Sequence, residues 1–67
     1  MEFQIVRTTD PQYPYFWRVV DELGQMLTYS SARYRSKDEC IEAVRDVQRD
    51  AAGAAVCDLS EGDPEPV

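Results

Sequence analysis

The 67-residue chain contains no histidine, only two cysteines, three glycines and a single tryptophan. Without histidine it lacks the side chain whose ordinary pKa suits proton transfer near neutral pH. With two isolated cysteines, no zinc-type ligand spacing can be written. No metal or other cofactor is therefore expected. Cations are scarce too: seven Lys and Arg face thirteen Asp and Glu, for a net charge of -6. Neutralising phosphates takes a basic surface, so this balance disfavours nucleic acid and anionic membranes alike. Long apolar runs are also missing. The longest stretch of small apolar residues, Ala51 to Cys57, falls far short of the roughly 20 residues that span a bilayer. Met1-Glu2-Phe3-Gln4 carries an acid and no basic segment, so no export signal is read there. The expected setting is a reducing cytoplasm, where structural disulfides are rare.

Size adds a constraint. A chain this short buries only about 60% of the surface its unfolded form exposes, and such cores usually need a staple. With disulfide and metal set aside, a second chain is the staple that remains. A homodimer is expected on that ground alone.

Along the chain, Phe3-Gln4-Ile5-Val6-Arg7 alternates and is rich in β-branched and aromatic residues, as a strand should be. Pro11 and Pro14 interrupt the next segment. Tyr15 to Val20 reads as a central strand, with Tyr15, Trp17 and Val19 on one face and Phe16, Arg18 and Val20 on the other. Asp21 to Gln25 makes a hairpin connection around Gly24, and Met26 to Ser30 returns antiparallel. Ser36-Lys37-Asp38-Glu39 matches a capping box. The stripe Cys40, Ile41, Val44, Val47 and Ala51 then recurs at helical spacing, with Gly53 placed to end the helix. Ala54 to Leu59 reads as a short last strand. The expected fold is α+β: a β-β-β-α-β unit with an antiparallel sheet and the helix on one face. Residues 1–59 form the domain, and residues 60–67 a disordered acidic tail.

The run Trp17-Arg18-Val19, Gly24, Ser30, Tyr34-Arg35-Ser36-Lys37 and Ala55-Val56-Cys57-Asp58-Leu59 together resemble the YegP-like proteins, a family of unknown function. The likeness covers roughly residues 3 to 59. It implies that two units share one sheet with their C-terminal strands exchanged, so this single-unit chain would be a homodimer with residues 54 to 59 swapped. Leu23 stands where the family usually has asparagine, and the loop through Pro11 and Pro14 is longer than the family pattern. The resemblance brings no activity or catalytic residue. Exchange also makes physical sense, because an unpaired third strand presents a sticky edge.

Two groups of residues are candidates for binding. Arg33, Arg35, Ser36 and Lys37 surround a helix start, where free amides and cations can hold a phosphate or carboxylate; the plainer reading is solvated charge balancing nearby acids. Phe16, Arg18, Val20 and Tyr29 form a face on which an arginine among aromatics can grip an acidic peptide or stack on a base; the plainer reading is packing within a dimer, or an ordinary half-exposed sheet surface. Trp17 is expected in the core, and Cys40 and Cys57 at helix-face and strand positions as small hydrophobes, Cys40 on the buried stripe. Asp21/Glu22 and Asp38/Glu39 are exposed neighbours with no evident pocket, and no nucleophile-and-base set can be written. The sequence thus points to a dimeric interaction or accessory module without catalytic activity, facing an unknown protein partner. The rival is an anion or nucleotide sensor built on Arg33, Arg35 and Lys37.

Overall fold

The computed structural model describes residues 1–67. Strands β1 (Glu2–Arg7), β2 (Tyr15–Val20) and β3 (Met26–Tyr29) form an antiparallel sheet in the order β1-β2-β3. Helix α1 (Lys37–Ala51) follows and packs across β1 and β2. The α+β arrangement of three antiparallel strands and one helix is the one the sequence pattern predicts.

Local chemistry explains each connection. Asp10 Oδ1 accepts the amide protons of Gln12 (2.9 Å) and Tyr13 (3.0 Å), which folds the proline-flanked loop between β1 and β2 into a side-chain-capped turn. Asp21 does the same for β2 and β3, accepting from the amides of Leu23 and Gln25, both at 2.9 Å. Gly24 sits at φ 81 there, a left-handed conformation that glycine adopts without steric cost. A bulge between Val19 and Val20 shifts the β2–β3 register by one residue.

At the start of α1, Ser36 has extended backbone and its Oγ accepts the Glu39 amide at 3.2 Å. Only half of the capping box forms, because the exposed Glu39 carboxylate makes no return bond to Ser36. The apolar stripe buries Cys40 fully and Val44 nearly so, with Ile41 and Val47 half-buried. Ala51 is exposed, so the last turn overhangs the sheet.

Burial gathers on the Trp17 side of β2. Phe3, Ile5, Trp17 and Val19 share that side by register, and the Phe3 and Trp17 rings lie 5.7 Å apart, tilted by 58°. Ser30 closes this core. Its amide donates to Trp17 O (2.8 Å), its Oγ accepts the Trp17 amide (3.2 Å) and donates to Ala32 O (2.8 Å). The hydroxyl thereby continues the ladder where the chain leaves β3. Trp17 Nε1 is buried without a partner, a donor stripped of water and given nothing in return.

The C-terminal region departs from expectation. In place of a strand from Ala54 to Leu59, only β4 (Cys57–Asp58) forms, and its partner is β5 (Glu65–Pro66) within the expected tail. Asp58 Oδ1 accepts from both the amide and hydroxyl of Ser60, and Gly62 at φ 96 helps turn the chain back. Every residue from Gln48 to Val67 is exposed.

Trp17→Ala should cost about 3–5 kcal/mol in urea unfolding. Trp17→Phe should cost less than half as much, because it also removes a desolvated donor worth about 1–3 kcal/mol. Equal losses for the two variants would refute the orphan-donor account.

Candidate functional site

Directly opposed residues of an antiparallel ladder project to the same side. Gln4 lies opposite Arg18, and Arg18 opposite Tyr29, on the side away from Trp17. Arg18 Nε donates to Gln4 Oε1 at 2.7 Å, which holds the guanidinium across the sheet. Phe16 lies on the same side, opposite Val6. Tyr29 is 61% exposed and Arg18 and Phe16 are half-buried. Val20, expected on this open face, is only 6% exposed. It is flanked by Glu2 on one strand and by Met26, brought opposite by the bulge, on the other. Val20 contributes no contact surface.

The second candidate group is drawn apart. An isolated bridge pairs Tyr34 with Tyr15, the Tyr34 amide donating to Tyr15 O at 2.8 Å and the Tyr15 amide to Tyr34 O at 3.2 Å. That bridge sets Arg33 beside Phe16, with its guanidinium 5.1 Å from the ring centroid. Arg35 lies 5.3 Å over the Tyr13 ring and donates to the Tyr13 hydroxyl at 3.1 Å. Gln12, Tyr13 and Arg35 line an open cleft of ≈ 380 Å³. The Ser36 hydroxyl is occupied by the Glu39 amide, and Lys37 is exposed in the first helical turn. Arg33, Arg35, Ser36 and Lys37 therefore do not converge on one point. Arg33 instead joins the Phe16 and Arg18 face, and the two candidate groups become neighbouring parts of one surface.

Its electrostatics are unusual for so acidic a chain. The only ion pairs join Arg49 to Asp46 (2.7 Å) and to Asp50 (3.4 Å). Arg18, Arg33 and Arg35 have no carboxylate partner; Arg33 and Arg35 lie over rings, and so does Arg7, 5.8 Å over Tyr15 on the Trp17 side. A cation over a ring keeps its full charge and most of its hydrogen-bonding edge. Asp10 senses Arg33 at longer range. The amides of Tyr13 and Gln12, and then the Arg33 charge, hold its carboxyl below the usual value of 3.8.

Tyr13, Gln12 and Asp10 are the site residues that sequence reading passes over. The available signal is Asp10-Pro11, an aspartate followed two and three residues later by the amides it caps. The two cysteines differ. Cys40 is fully buried, and burial pushes its thiol up; Cys57, expected at a strand position as a small hydrophobe, is exposed on β4, a ribbon that contacts only β5.

Because the Asp10 pKa is depressed in the folded chain, its contribution is present above 3.8 and lost as pH falls through the lower folded value. The Gln12 and Tyr13 amide resonances should accordingly titrate together, with a midpoint below 3.8. Independent midpoints, or one above that value, would contradict the capped loop. No protein-family model, no curated protein and no solved structure matches the chain.

Proposed function

We propose that this chain is a non-catalytic interaction module, a single-unit YegP-like protein that acts in the cytoplasm as a homodimer. Its working surface is the sheet face of Phe16, Arg18, Arg33 and Tyr29, and its partner is an acidic segment of another protein. The observation that carries this reading is the state of the arginines: cations placed among rings, unpaired, in a chain of net charge -6. An arginine so placed is ready to donate bidentately to a carboxylate.

Support for the dimer is of a different kind. On β3, Met26, Leu27 and Tyr29 are 53–61% exposed along an unpaired edge, an arrangement that invites another strand. Val56 and Leu59 are each 64% exposed, flanking the β4 strand, which contacts only β5. Residues 54 to 59 crossing to a neighbour's β3 would cover both surfaces at once.

A second reading has its own observation. The cleft of Gln12, Tyr13 and Arg35 suits a small anion or a nucleotide, with Arg35 as the cation.

Light scattering should give the mass of two chains in the micromolar range, with thermal stability falling on dilution. Single chains throughout, equally stable at every concentration, would remove the dimer. Arg18→Glu should leave the dimer intact and weaken binding of a glutamate-rich peptide more than about tenfold, since reversing a contact charge costs roughly 2 kcal/mol or more. If phosphate or nucleotides move the amide resonances of Gln12, Tyr13 and residues 33 to 39 and the peptide moves none, the sensor reading replaces the module.

A further inference from the structure

The arginines of the sheet face are in no ion pair; Glu2, on the same side, is engaged by Gln4 Nε2 at 2.9 Å, and Asp10 feels Arg33 only at longer range. After Arg49 the chain carries no cation, while Asp58, Glu61, Asp63 and Glu65 follow within eight positions. All four are exposed, and none meets a cation. Little holds the segment that bears them. β4 and β5 share two residue pairs, reinforced by Gly62 N–H to Leu59 O at 3.3 Å and Val67 N–H to Val56 O at 3.1 Å. A two-stranded ribbon standing alone is marginal in water. This one can leave its present position at little cost.

Resting on the reading of the face given above, we infer that the acidic C-terminal segment Asp58–Val67 of a second copy docks on Arg18, Arg33 and Arg35 and competes there with any external acidic partner. Charge complementarity supports it: four carboxylates without cations meet three arginines without carboxylates. The apolar Leu59, 64% exposed, suits the neighbouring rings of Phe16 and Tyr29. The occupant is a second copy's segment because residues 54 to 59, laid along a neighbour's β3, carry the following residues onto that neighbour's sheet. Tyr29 at the end of β3 borders the arginine face directly. Exposed ion pairs are individually weak and screened by salt, so the segment is an exchangeable cover and not a permanent seal.

The test compares the full chain with one ending at Leu59, which keeps residues 54 to 59 and hence the dimer. The probe is a fluorescent octaglutamate peptide at low salt. The shortened chain should bind about three- to tenfold more tightly, because the open face is no longer shared. The side-chain Nε–Hε resonances of Arg18, Arg33 and Arg35 should also move on shortening, with no peptide added. A spin label on Val67→Cys, in a Cys57→Ser background, should broaden those resonances in an isotopically labelled wild-type copy mixed with it. Equal affinity of the two lengths, with unmoved arginine resonances, overturns the inference and leaves the face reading standing. Octaglutamate binding to neither length overturns both. Absence of broadening in the mixed sample overturns the assignment to a second copy.

Discussion

Strand β2 is hydrogen-bonded along both of its edges, and the rest of the molecule depends on that. Six residue pairs join it to β1; three join it to β3, after which Ser30 and Tyr34 continue the same edge toward Tyr15. Of the five buried residues, Val19 and Val20 belong to β2, Ser30 is bonded to it, and Cys40 and Val44 come from the helix packed across it. With so small an interior, burial alone cannot hold the sheet. Satisfaction of the β2 backbone is the other half of the account. The same pairing positions function, because it is the Tyr15–Tyr34 bridge that sets Arg33 beside Phe16.

The unpaired arginines follow from where the acids are used. Asp10, Asp21 and Asp58 each accept hydrogen bonds from backbone amides within their own turns. Asp46 and Asp50 are engaged with Arg49 on the outer face of the helix. Acids that shape turns near their own position in sequence cannot also reach across the sheet. A chain with nearly twice as many acids as bases therefore keeps a group of arginines free of ion pairs, and net charge is a poor guide to what one face attracts.

Much of the fold was legible in the sequence because its signals are local. The alternation of Tyr15 to Val20 gave the central strand, and Ser36 three residues before Glu39 gave the helix start. The loop of residues 8 to 14 was opaque because its shape rests on one carboxylate accepting two amides, a geometry that composition does not encode. The pairing of Cys57–Asp58 with Glu65–Pro66 is illegible for a different reason. A two-residue ladder has no period to detect, and an alanine-rich run has weak strand preference. The candidate residues form two separate groups in the sequence; that Arg33 belongs with Phe16 depends on a pairing nineteen positions apart, between Tyr15 and Tyr34.

The sheet order β1-β2-β3 repeats the order of the strands in the chain. Each strand pairs with its immediate successor across a connection that its own aspartate folds. Loop closure is then cheap, and topologies of this kind form quickly. During synthesis the meander is complete in sequence before the helix leaves the ribosome. Helix α1 then needs only to close over β1 and β2, the two strands it packs against, and no strand of the meander has to wait for a distant partner.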